Sequence, residues 1–210
     1  MPTATGLPRQ AARSPAQTPA RPGATASSLS RYALLVRVPP QISQDLAERV
    51  HQVPGVTIPP LGYHVTVYGP FAFVGDPAQG RALLRAIVQS AGPFTIRLQG
   101  IGVFRSPGAN AVYLHADGGR PLAELRARLV QALAERAPIV PPQGSGYTPH
   151  VTLGLNIADA DLTATVRRLR ARRLAYSFPV RELWLLQETP TPPSTWLPAE
   201  RYLLGEGEGG

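Results

Sequence analysis

The segment Tyr63-His64-Val65-Thr66-Val67-Tyr68 and its echo Pro149-His150-Val151-Thr152-Leu153-Gly154 constrain this chain more than any other feature. Each embeds His-Val-Thr in a short apolar, β-branched run, the composition of a strand. Side chains alternate across a strand, so His64 and Thr66 share one face while Val65 and Val67 share the other. The same alternation puts His150 with Thr152 and Val151 with Leu153. A chain that folds both segments as strands, side by side in space, gains a cleft holding two imidazoles and two hydroxyls.

Around these segments the chain alternates between strand and helix patterns. Tyr32–Val38 reads as a strand, Ile42–Val53 as a helix, and the first histidine strand follows. Pro77–Ala91 is helical in spacing, and Phe94–Leu98 and Ile101–Phe104 read as two strands about Gly100. The pattern then restarts with strand Ala111–His115, helix Pro121–Arg136, the second histidine strand, and helix Asp159–Arg173. Phe178–Gln187 reads as one strand and Tyr202–Leu204 as a short last one. Tyr32 lies 32 residues before His64, and Val112 lies 38 before His150, the difference fitting the Pro138–Gly146 loop. Each half therefore reads strand, helix, histidine strand, helix, strand. The expectation is an α+β fold with two duplicated lobes exchanging near 105–110, related by a pseudo-two-fold. Two antiparallel-type sheets would face a central cleft, with helices outside.

Composition narrows the chemistry. There is no cysteine, which excludes disulfides, thiolate zinc sites and cysteine nucleophiles. All 21 basic residues are arginine, so Schiff-base, P-loop and adenylated-lysine chemistry are excluded too. The formal net charge of +8 favours an anionic partner. Five arginines between Arg167 and Arg173 read first as a solvated helix face and second as a phosphate-tracking surface. Residues 1–28 are rich in Pro, Ala, Ser and Arg and read as a disordered tail; 206–210 read as a flexible C-terminus; 29–205 form one bilobal domain. No apolar run is long enough to cross a bilayer, and a cytoplasmic monomer is expected.

Two histidines suit general acid–base cleavage of a phosphodiester. One imidazole takes a proton from the attacking oxygen and the other protonates the leaving oxygen, and both forms are accessible near neutrality. Thr66 and Thr152 then donate to the phosphate oxygens, where charge grows. Four histidines and 14 threonines make a double His-x-Thr by chance a roughly 3 % event, so the pair carries weight that neither motif has alone. On a regular strand Tyr68 shares the face of His64, which makes it a candidate for stacking on a base; Phe104, ending a strand near the lobe junction, is a second. His51 and His115 lack the threonine and are read as surface or capping groups. His-x-Thr is not ligand spacing, so no metal and no cofactor are expected.

The paired motifs resemble those of the 2H phosphoesterase superfamily, and most closely its 2′-5′ RNA ligase-like branch. Tyr68-Gly69-Pro70-Phe71, Gly102-Val103-Phe104 and Val180-Arg181-Glu182-Leu183-Trp184-Leu185-Leu186 add to the likeness, over about residues 31–204. The resemblance implies metal-independent action on 2′,3′-cyclic phosphates or 2′-5′ linkages of RNA or a small nucleotide, with His64, Thr66, His150 and Thr152 as the site. It departs at Gly154-Leu155, where RNA cyclic phosphodiesterases of the branch usually carry a small residue and then an arginine. A non-catalytic nucleotide- or RNA-binding module and a phosphoesterase for another cyclic or 2′-5′-linked nucleotide are the alternatives.

Overall fold

The computed structural model describes residues 30–139, 146–189 and 195–205. The expected N-terminal tail, the last five residues and most of the Pro138–Gly146 loop lie outside them. In chain order the elements are β1 (Arg31–Arg37), α1 (Pro40–His51), β2 (His64–Ala72), α2 (Pro77–Gln89), β3 (Phe94–Phe104) and β4 (Asn110–Asp117). They continue with α3 (Gly119–Leu133), β5 (His150–Ile157), α4 (Asp159–Ala171), β6 (Ala175–Val180), β7 (Glu182–Glu188) and β8 (Trp196–Leu203).

Local chemistry sets the helix starts. Pro40 and Pro77 occupy first-turn positions, where a missing N–H costs no helix bond. The Asp76 carboxylate caps α2 by accepting from the Ala78 N–H at 2.9 Å. In α4, Asp159 and Asp161 lie in the first turn and Arg168 and Arg170 in the last, each sign complementing the helix dipole. Asp159 also accepts from the buried Asn110 side chain at 2.7 Å, which tethers the start of α4 to β4.

The strands form two four-stranded sheets, β2-β1-β7-β8 and β5-β4-β3-β6, with antiparallel pairing throughout. The α+β, two-sheet expectation is met, but the halves are interlaced. The chain changes sheets between α2 and β3, at 89–94, and returns between Val180 and Glu182; the expected exchange near 105–110 is instead the β3–β4 connection, 105–109, within one sheet. The stretch expected as one strand, Phe178–Gln187, is therefore two strands in different sheets. Its burial shows why: Phe178 and Val180 are buried, then Leu183 and Leu185, so the inward parity slips by one residue across Arg181. A similar slip between Leu98 and Ile101 is absorbed differently. Gly100, with φ of +81°, sits at a register shift between Gln99 and Ile101, and β3 continues through it as a single strand.

Each motif strand is the edge of its sheet, and each edge is covered by an arm from the other half. The segment after α1 lies along β5, where the Leu155 N–H donates to the Thr57 carbonyl at 3.0 Å. The segment after α3 lies along β2, with Phe71 bridging Ile139 and the Val74 N–H donating to the Arg136 carbonyl at 2.8 Å. Covering an edge in this way removes the unpaired backbone row that would invite aggregation. The buried residues of both sheets and all four helices join one hydrophobic cluster, so the halves share a core.

Candidate active site

Both motif strands carry the same irregularity. Leu35 pairs with Thr66 and Leu34 with Tyr68, so Val67 is an extra residue on β2. On β5, Tyr113 pairs with Thr152 and Val112 with Gly154, so Leu153 is extra. A bulge after each threonine leaves His and Thr on the cleft face and turns the next residues inward. Val67 and Leu153 are both fully buried.

That bulge overturns the expectation for Tyr68. The shift places Tyr68 opposite Leu34, on the core face, where it is 2 % exposed. Its ring lies 5.2 Å from that of Phe71, and its hydroxyl donates to the Ala137 carbonyl at 2.8 Å. Tyr68 is a core residue pinning the α3 arm, not a platform in the cleft. At the matching position of β5, Gly154 is covered by the other arm. A Cβ there would sit 2.3 Å from Cγ1 of Val56, because the α1 arm packs into that position.

The two imidazoles are held in the same way. The His64 Nδ1–H donates to the Gly62 carbonyl at 3.0 Å, and the His150 Nδ1–H donates to the Thr148 carbonyl at 2.7 Å. Each bond reaches two residues back, and a carbonyl can only accept, so Nδ1 carries the hydrogen in both rings. Nε2 is left as the atom that exchanges protons. Burial lowers the pKa of both histidines below the ordinary value, opposed by the carbonyl bonds and reinforced by His150 on His64 and by His115 on His150. Lowered values favour neutral, proton-accepting rings at pH 7.

Two cavities flank this pair, and each combines one strand's histidine with the other strand's threonine. A cavity of about 370 Å³ is lined by His64 and Thr152, with Pro60, Leu61, Leu155 and Trp196 among its walls. One of about 310 Å³ is lined by His150 and Thr66, with Phe104, Arg126, Tyr147 and Thr148. All four motif residues expected in the site thus line these two cavities, one histidine and one threonine in each. Phe104, the second stacking candidate, stands there too. Its ring stacks on Tyr113 at 4.3 Å and meets His150 edge-on at 4.8 Å.

Several side chains in or beside these cavities were not anticipated as site residues. Arg126 reaches in from α3, its Nη1–H donating to the Val67 carbonyl at 2.7 Å and its guanidinium lying 3.7 Å from the centre of the Tyr147 ring. Tyr147 in turn donates from its hydroxyl to the Thr66 carbonyl at 2.8 Å, and burial pushes its pKa up to about 12. Burial also lowers the Arg126 pKa, yet a guanidinium remains a cation near neutrality. Tyr113 and His115 stand opposite Thr152 and His150 across β4. Arg37 stands opposite His64 on β1 and stacks over Trp184 at 4.2 Å. Their signal was present in part: Arg37 and His115 stand on strands whose pairing with the motif strands would have named them. His51 lies exposed in the last turn of α1, away from these cavities. Among the described residues, no three His, Cys, Asp or Glu side chains are grouped to hold a metal ion. Among the same residues no helix is long and apolar enough to cross a membrane.

Known proteins resemble this chain in sequence and in fold. Residues 38–191 match the model of the 2′-5′ RNA ligase superfamily. The chain belongs to that family. Among its curated relatives, a Bacillus pumilus protein named "Putative phosphoesterase" is 26 % identical over 150 residues, covering 71 % of this chain and 81 % of the relative. The apo crystal structure of Escherichia coli LigT superposes with a TM-score of 0.62 at 19 % identity, over 86 % of this chain and 100 % of LigT. The Thermus thermophilus protein TT0787 gives 0.61 at 21 % identity, over 85 % of this chain and 100 % of its own. These likenesses establish the 2H phosphoesterase fold.

Proposed function

We propose that this protein is a metal-independent phosphodiesterase that opens 2′,3′-cyclic phosphates, on RNA ends or on nucleotides. The observation that carries the reading is the cross-pairing of the cleft, in which each histidine shares a cavity with the threonine of the other strand. A phosphate seated between β2 and β5 is then met by a hydroxyl and an imidazole from each side.

Neutral Nε2 of one histidine takes a proton from water as the water oxygen bonds to phosphorus. The protonated Nε2 of the other gives its proton to the departing ribose oxygen as the P–O bond breaks, leaving a 2′- or 3′-monophosphate. Thr66 and Thr152 donate to the non-bridging oxygens, whose charge rises in the transition state. With a ribose 5′-hydroxyl in place of water, the same ring opening releases the 3′-hydroxyl and forms a 2′-5′ linkage, the reverse of cleaving that linkage to a cyclic phosphate. Support from a relative is that E. coli LigT has been crystallised with 3′-AMP, with phosphate, with ATP and with NADP+.

The test is turnover of 2′,3′-cyclic nucleotides, cyclic-phosphate-ended RNA and 2′-5′ oligonucleotides in excess EDTA. Cleavage of the cyclic phosphates without added metal is expected. Absence of turnover on every substrate would leave a binding module, and cleavage confined to the 2′-5′ oligonucleotides would move the activity to that linkage.

A further inference from the structure

The two cavities of the cleft differ in charge. The cavity of His64 and Thr152 is walled by prolines, Leu61, Leu155, Thr195 and Trp196, with no arginine and no acid among its described lining. The cavity of His150 and Thr66 has one arginine, Arg126, and again no acidic side chain among its described lining. His64 also lines a neighbouring cavity that holds Arg37, so what sets Arg126 apart is that it shares one cavity with both a motif histidine and a motif threonine.

Arg126 is placed rather than merely nearby. It projects from α3, a helix that contacts β2. One N–H is fixed on the carbonyl of Val67, the bulged residue just after Thr66. The face of the guanidinium lies on Tyr147, whose hydroxyl is bonded to the Thr66 carbonyl. The Val67 carbonyl belongs to the motif strand and the Tyr147 ring is tied to it, so these two contacts set the cation in register with Thr66. A guanidinium held this way needs no reordering when negative charge grows on the substrate, and its planar fork matches phosphate oxygens.

We propose that Arg126 is a catalytic residue that binds the non-bridging oxygens of the substrate phosphate from the His150 side, directing the organic part of the substrate toward the apolar cavity at Trp196. The proposal rests on the phosphodiester reading of the cleft.

The experiment uses the full chain with 2′,3′-cyclic AMP as substrate and inorganic phosphate as a second, non-reacting probe. It compares wild type with Arg126→Met, Arg126→Lys and Arg128→Met. Arg128 lies on the same helix but bonds to Ser90, outside the cleft, and serves as the control for charge removal. For Arg126→Met, a loss of about 100-fold in kcat is expected, the scale of removing one transition-state donor. Its dissociation constant for phosphate should rise at least about tenfold, as when a charge-assisted contact is lost. Arg126→Lys should recover most of the phosphate affinity while kcat stays about tenfold down, because an ammonium cannot reproduce the fork. Arg128→Met should stay within about twofold of wild type, as a surface cation outside the cleft.

Phosphate affinity and kcat both within about threefold of wild type in Arg126→Met overturn the proposal; should that variant not fold, an Arg126→Lys enzyme with wild-type kcat overturns it instead. A wild-type protein that turns over no cyclic phosphate sinks the functional reading. The phosphate arm still decides this one, since binding retained in Arg126→Met removes the anion site and binding lost in it supports the site.

Discussion

β2 and β5 are built alike up to the threonine and diverge one residue later. Both donate the imidazole Nδ1–H to a carbonyl two residues back, and both bulge after the threonine. Past the bulge, β2 presents Tyr68, which fills the core beneath the α3 arm, whereas β5 presents Gly154, whose missing side chain admits Val56 of the α1 arm. The flanking segments then bring different chemistry to the two cavities, Arg126 of α3 and Tyr147 before β5 on one side and Leu61 with neighbouring prolines on the other. The strand geometry repeats what proton transfer requires twice, and the connecting segments supply what distinguishes one end of a substrate from the other.

If the two halves are equal partners in catalysis, removing either imidazole should be about equally damaging. His64→Ala and His150→Ala are each expected to lower kcat by about 10³-fold, within the range for loss of a general acid or base. The double variant should be little worse than the poorer single one, since both act in one transition state. Single-turnover rates on 2′,3′-cyclic AMP measure this. A variant that keeps more than a tenth of wild-type rate would show that one half binds while the other does the chemistry.

The divergence after the threonines is tested by Gly154→Val. A Cβ at that position would clash with Val56, so overpacking of about 1–3 kcal/mol is expected in urea unfolding. Val56→Ala in the same chain should recover part of the loss. If Gly154→Val alone is neutral, the α1 arm is not seated on β5 as tightly as β2 is covered by its own arm.

Tyr68→Phe probes the other side. It removes one buried hydroxyl and leaves the Ala137 carbonyl without that donor, a loss of about 1 kcal/mol in stability with kcat unchanged. A large change in KM for nucleotides with normal stability would return Tyr68 to the cleft.

Tyr68 also marks where sequence reasoning succeeds and where it stops. The alternation rule that correctly pairs His64 with Thr66 extends to Tyr68 only if the strand is regular, and the bulge at Val67 breaks it. The motif residues were legible because strand alternation and duplication act on adjacent positions. Arg126 was not, since it reaches β2 from a helix 59 residues beyond Val67, and Tyr147, though next to the second motif, meets the Thr66 carbonyl from 81 residues away in sequence. The sheet exchange at Arg181 stands between these cases: Phe178 and Val180 against Leu183 and Leu185 carry the parity slip openly, and a strict count of inward positions would have split the strand there.

The smallest effect expected is on the pH dependence of stability, and it separates the two imidazoles by their neighbours. Burial lowers both histidine pKa values in the folded chain, so the unfolded chain binds protons more readily just below pH 6.5. Stability is therefore complete above the ordinary histidine range and falls as the pH drops through it toward 5. The slope for each histidine cannot exceed about 1.4 kcal/mol per pH unit, the value for one proton taken up per unfolding event. Urea midpoints at pH 8, 6.5 and 5 measure the fall, and asparagine at both positions should flatten it. His115 lowers the His150 value, and His150 the His64 value. His115→Asn should consequently ease the fall through His150, while His150→Asn removes its own contribution and eases that of His64. A double variant with the wild-type slope would place the acid sensitivity outside the cleft and leave the shared field between the two motif strands without support.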